Sequence, residues 1–491
     1  MSQILRNARI GEITLDVLIE DGIITQLGSA IDRTADEVNL DGRWLVPGLW
    51  DNHVHFSQWS MVQRRLDISA ATSAREAAAF VHAALSEPTV HSVPTALAGR
   101  AESAALVGVG FRDGLWPDSP NFALLDDVSG DVPVVLVSAD LHAVWLNSAA
   151  LARYGHRGHP SGLLREDEAF EVTRLINTVP DATLDGWADA AARQAATRGV
   201  VGIVDLEMQW NLDTWSRRIA AGANSLRVEF GIYPQHLDRA IELGLRTGQR
   251  ISDLLSVGMF KVLTDGALNT RTAYCHDEYP GLENQPNSRG MLTVPPKQLI
   301  PLMRKARAAG IIPDVHAIGD HANTLALDAF ESVGGGGRIE HAQLLSDSDF
   351  ARFARLGVVA SVQPEHAMDD RDVADRYWAG RTGHCFALKS LLDAGAELSL
   401  GSDAPVAPLD PWVTISAAVG RTRDGREPWH PEQRISAAEA LAASTRTAIS
   451  VGERADLTVT EIDPLAASPD ELRTMPVAAT LLGGRFTHRA L

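Results

Sequence analysis

Residues 296–341 read PKQLIPLMRKARAAGIIPDVHAIGDHANTLALDAFESVGGGGRIEH. Apolar residues recur at helical spacing over Pro296–Ala309, and Gly310 ends the run where helix C-termini favour glycine. The short apolar run Ile311–His316 follows as a strand. Ala322–Val333 repeats the helical pattern, and Arg338–His341 repeats the strand. The glycines 334–337 between them form a flexible link. No Lys-Ser/Thr pair or helix start follows them, so they lack the features of a phosphate cradle.

The same alternation extends outward. Strands are predicted at Leu45–His55, Val200–Leu206, Leu226–Tyr233, Met259–Asp265, Val358–Gln363 and Leu398–Asp403, with further helices at Asp185–Arg198, Asp347–Leu356 and Ala387–Ala394. Strands alternating with helices in this way predict an α/β fold, a (β/α)8 TIM barrel. About 145 residues separate His55 from Val200, far more than one connecting helix needs, so a large insertion at about 60–185 follows the first barrel strand. At the N-terminus, Val17–Glu20, Asp21-Gly22 and Ile23–Leu27 form a hairpin signal, because Asp-Gly accepts a tight turn. Ala455–Glu461 and Ala478–Leu482 are also strand-like. Residues 1–44 and 450–491 are therefore expected to form one small β-sandwich domain, leaving 45–449 for the barrel.

The chain has 491 residues and a formal charge of −19. That charge repels phosphate backbones and anionic lipid, so no nucleic-acid or membrane partner is expected. The first residues lack the long apolar run of a signal peptide or anchor. The expectation is a soluble, cytoplasmic protein acting on a small molecule, with a homodimer left open. Two cysteines exclude a disulfide framework and a thiolate-based zinc site, whereas sixteen histidines make imidazole available as a ligand.

His53 and His55 flank Val54 on the first strand, so alternation turns both imidazoles to one face, about 7 Å apart. His316, His341 and Asp403 fall at the ends of the fifth, sixth and eighth strands, where barrel enzymes build their sites. Nitrogen and oxygen ligands of this kind suit hard or borderline divalent cations. Lys261, on the fourth strand, shares a face with Leu263 and Asp265. An ammonium there needs a partner or a modification. It either pairs with Asp265 or, once deprotonated, reacts with CO2 to give an anionic carbamate ligand.

Taken together, these segments resemble the metal-dependent amidohydrolase superfamily, in its amidohydrolase-3 branch, which includes N-substituted formamide deformylases. The likeness rests on PGLWDNHVH at 47–55, Lys261 with Asp265-Gly266-Ala267, VHAIGD at 315–320, IEHA at 339–342 and GSDAP at 401–405, and on LHAVWLNSAAL at 141–151 in the insertion. Gln363, Pro364 and His366 fit the branch as well. The resemblance implies a binuclear centre of two divalent metal ions, zinc by preference. His53, His55 and Asp403 would hold one metal, His316 and His341 the other, and carbamylated Lys261 would bridge them. Hydroxide between the metals would attack an amide-like carbonyl, with Asp403 as general base and acid. His142, Arg271 and Trp145 are candidates for binding substrate. The alternatives are a one-metal deaminase of the same superfamily and a non-catalytic relative.

Overall fold

The computed structural model describes residues 2–86, 92–93, 105–111, 113, 116–138, 143–165 and 167–491. The chain forms two compact units, one of Met1–Phe56 with Asp189–Leu491, the other of Ser57–Ala188.

The first unit contains the expected barrel. Its strands are Leu49–Val54, Val200–Asp205, Arg227–Ile232, Leu255–Leu263, Pro313–Ala317, Gly337–His341, Val358–Val362 and Leu398–Leu400, all parallel and paired in chain order. The last closes on the first through a parallel bridge between Val54 and Ala404. Helices cover the outside, among them Pro296–Ala308, Asp320–Ser332, Phe350–Leu356 and Leu388–Asp393. Apolar patterning missed two others, Pro364–Tyr377 and Pro411–Gly420, each opened by a proline in its first turn.

The strand expected over Leu45–His55 is two strands. Trp44–Pro47 pairs with Leu457–Thr460 in the terminal sheet, and Leu49–Val54 enters the barrel. The chain passes from one sheet to the other at Gly48. Its N–H donates to the Asp456 carbonyl (2.8 Å), and a Cβ there would lie 2.5 Å from the Val201 side chain. Only glycine permits so close an approach.

Both termini contribute to one eight-stranded mixed sheet. In its hairpin, Ile13–Glu20 pairs with Ile23–Gly28 across Asp21 (φ 49°) and Gly22 (φ 81°), the left-handed pair of a tight turn. Leu5, Val17, Ile19, Leu45, Leu457, Val459 and Leu481 form its apolar core. Asp456 ties this sheet to the barrel, accepting from both Arg227 Nε (2.6 Å) and Nη2 (2.9 Å), and from Gly483 N–H.

The inserted unit has its own six-stranded sheet. Ala105–Phe111 pairs in parallel with Val134–Ser138, which pairs antiparallel with Ala143–Leu146. Asn147 then caps the helix Ser148–Arg153 by accepting from Ala150 N–H at 2.9 Å. No helix among the described residues is long and apolar enough to cross a membrane.

Candidate metal centre

The end of the first barrel strand is fixed by backbone. Asp403 N–H donates to the His53 carbonyl (2.7 Å), and His55 N–H to the Ala404 carbonyl (2.8 Å). Gly401 lets the eighth strand come this close, since a Cβ there would meet His53 N at 2.7 Å. Asp51 clamps the junction from below. Its Oδ1 accepts from Ser402 N–H (2.9 Å) and His53 N–H (3.2 Å). Burial pushes the Asp51 carboxyl up to about 7 in spite of these bonds.

Strict alternation would turn Glu340 and His341 to opposite faces of the sixth strand. Instead His341 has φ 75°, and Asp403, three residues beyond the end of the eighth strand, has φ 57°. Left-handed backbone at non-glycine residues costs about 1–3 kcal/mol each and persists where the surroundings demand it, often at functional sites. Both turns bring side chains to the first strand. Ligand-type atoms of His53, His341 and Asp403 lie within 4.8 Å of one another, the only set of three that converges so closely among the described residues. His53 Nε2 is 3.4 Å from Asp403 Oδ1, and His55 Nε2 is also 3.4 Å from it. The His53 and His341 rings are 5.1 Å apart.

The electrostatics suit a cation. Burial lowers the His53 imidazole below its ordinary value, although Glu340 and Asp403 pull the other way. Burial, then the neighbouring His316, hold His341 well below the usual range. Both rings therefore favour the uncharged form that can ligate. Burial alone would raise Asp403, but His53, His55 and His341 outweigh it and hold the carboxyl well below the carboxylate range. Two neutral imidazoles and an ionised carboxylate form a donor set that fits one divalent metal. His341 Nδ1 is buried with no hydrogen-bond partner in the protein.

The expectation of two metals bridged by carbamylated Lys261 is overturned. Among the described residues a single convergent set is found, His53, His341 and Asp403, which would hold one ion. His316 is turned elsewhere, with Nε2 3.4 Å from both Asp265 Oδ1 and the Gly266 carbonyl, and its ring edge-on to His341 at 4.5 Å. Lys261 is 1% exposed, and Nζ has no hydrogen-bond partner. Nor does it pair with Asp265, whose oxygens accept N–H groups from Ile318, Gly319 and Tyr274. His55 stands beside the triad through Asp403 rather than as one of its three members.

Among the substrate-binding candidates, Arg271 is half-buried on a loop after the fourth strand, at φ 58°, with its guanidinium 5.5 Å above the Tyr377 ring. Trp145 is fully buried in the apolar core of the inserted unit, with Leu66, Ile68, Phe111 and Leu136. His142 lies outside the described residues. Gln363 Nε2 sits 3.4 Å from His53 Nδ1, and the His366 ring stacks on His341 at 6.3 Å.

Lys261 belongs to a layer of buried charge whose other members, Asp314, Arg338 and Glu340, escaped sequence reasoning. Lys261 is in register with Asp314, and Asp314 with Arg338. Glu340 Oε2 lies 2.6 Å from His53 Nδ1. The signal was charged residues at the inward positions of three adjacent strands. Burial and the nearby Glu340 push the Asp314 carboxyl up to about 8 from an ordinary 3.8, against the pull of Lys261 and Arg338. A carboxyl raised in the fold holds its proton there and releases it on unfolding. Its contribution is thus fully present below about pH 4 and is lost as pH rises through about 8. Asp314→Asn should therefore flatten the fall in thermal midpoint between pH 5 and pH 8, measured by circular dichroism. An unchanged slope would contradict this origin.

Residues 36–488 match the model of the amidohydrolase family designated Amidohydro_3. The chain is 29% identical to Protein LONG AFTER FAR-RED 3 of Arabidopsis thaliana, covering 99% of this chain and 88% of that one. It is 27% identical to the putative amidohydrolase YtcJ of Bacillus subtilis, covering 97% and 96%. It is 25% identical to N-substituted formamide deformylase of Arthrobacter pascens, covering 94% and 92%. In fold it is similar to an uncharacterized metal-dependent hydrolase from Pyrococcus horikoshii, with a TM-score of 0.80 at 24% identity, over 96% of this chain and 99% of that one. The chain belongs to the amidohydrolase family, in its amidohydrolase-3 branch, and is a metal-dependent hydrolase of non-peptide carbon–nitrogen bonds.

Proposed function

We propose that this chain is a one-metal hydrolase that displaces an amine or ammonia from an sp2 carbon, in the mode of the superfamily's mononuclear deaminases. The convergence of His53, His341 and Asp403 on one point supports this reading above all. A borderline divalent cation such as zinc, when bound there, would supply Lewis acidity and lower the pKa of water. His53 and His341 would hold it through uncharged nitrogens. Asp403, kept ionised by the surrounding imidazoles, would accept the proton of the attacking water and deliver it to the leaving nitrogen. His55, 3.4 Å from Asp403 Oδ1, would orient that carboxylate. Burial of the triad excludes bulk water and strengthens each of these interactions. Arg271 would receive an anionic group of the substrate.

Likeness to a formamide deformylase adds N-substituted formamides to the substrates worth testing. The test is amine or ammonia release from formamides, N-acyl amino acids, cyclic amides and aminopurines. Chelator-treated protein should be silent, and one equivalent of zinc should restore release. Metal-loaded protein inert toward every one of these classes would contradict the reading.

A further inference from the structure

We propose that Glu340 is a positioning residue that fixes the tautomer and ring orientation of His53, so that His53 presents Nε2 to the metal. The inference rests on the assignment of His53 as a ligand.

The geometry leaves little freedom. Glu340 is completely buried, and its Oε2 lies 2.6 Å from His53 Nδ1. An ionised carboxylate only accepts hydrogen bonds, so Nδ1 must carry the proton and donate it. The lone pair is then confined to Nε2, the nitrogen that lies 3.4 Å from Asp403 Oδ1. Gln363 Nε2 also lies 3.4 Å from Nδ1, but an amide nitrogen only donates and cannot accept that proton, which leaves Glu340 as its acceptor. The other carboxylate oxygen, Oε1, is 3.6 Å from Arg338 Nη1, so a buried cation stands beside the buried anion.

Chain topology gives the arrangement its economy. Glu340 and His341 are consecutive at the end of the sixth strand, and φ 75° at His341 lets both reach the site. One strand end therefore supplies a ligand and also orients a second ligand from another strand. A buried carboxylate is expensive for a fold, and an apolar residue of similar volume would serve packing as well or better. Its hydrogen bond to a ligand imidazole gives it another use, since such partners commonly set metal affinity.

The test uses the full-length chain with Glu340→Ala and Glu340→Gln. Zinc affinity is measured by competition with a chromophoric chelator, and the absorption spectrum is recorded after loading with cobalt(II). Loss of the acceptor should weaken zinc binding by about 10- to 100-fold in E340A, and loss of the charge by at least about threefold in E340Q. The cobalt spectrum should shift in both. Circular dichroism establishes that each variant is folded. If E340A does not fold, the isosteric E340Q decides. A folded variant with wild-type zinc affinity and an unshifted cobalt spectrum overturns the proposal. Wild-type protein that binds no zinc or cobalt would instead overturn the ligand assignment beneath it, a different result from an indifferent variant.

Discussion

Asp403→Asn should lower kcat for amine release by about 10²- to 10⁴-fold, the range that general acid–base catalysis supplies. Asparagine keeps a carbonyl oxygen at the ligand position but cannot accept and return a proton. The loss should therefore exceed any loss of metal, and the variant's zinc content, measured beside its activity, separates the two effects. Asp403 is suited to the role because His53, His55 and His341 hold its carboxyl well below the ordinary range despite burial. It also sits on backbone fixed by its own N–H bond to the His53 carbonyl. Full kcat in zinc-loaded D403N would remove Asp403 from the proton path.

His341→Ala should reduce zinc affinity by more than about 100-fold, since even the outer partners of ligands cost 10- to 100-fold. Amine release should fall with it at stoichiometric zinc. His316→Ala is the informative contrast. His316 Nε2 lies 3.4 Å from Asp265 Oδ1 and the Gly266 carbonyl, and the residue is not a member of the convergent set, so H316A should still bind one zinc per chain. Chelator competition and elemental analysis of both variants check this. If H316A and H341A each removed one of two bound metals, the one-metal centre would be wrong.

Much of this architecture was legible in the residue pattern. Helical runs closed by glycine, alternating with short apolar runs, placed eight strands, and His53, His341 and Asp403, which the structure brings within 4.8 Å of one another, were among the residues read at or near their ends. The misreadings share a physical origin. Patterning gives a side chain's face but not the direction of its ring or the backbone angle beneath it. His316 is at the strand end expected of a ligand, yet Asp265, with its oxygens committed to loop N–H groups, and the Gly266 carbonyl are what its ring meets. His341 reaches the site only through a left-handed turn that breaks alternation. Gly48 looked like the interior of one strand because its role, close passage against Val201, depends on a distant segment. Glu340 and Asp314 were overlooked because charge on a strand ordinarily faces solvent, and only the closed barrel turns those positions inward.

The most direct measurement is the metal content of the folded wild-type chain. Protein saturated with zinc and freed of excess by gel filtration is assayed by elemental mass spectrometry. The proposed one-metal centre predicts one zinc per chain, falling below a tenth of an equivalent in H341A. Two zinc ions per wild-type chain would contradict the one-metal centre.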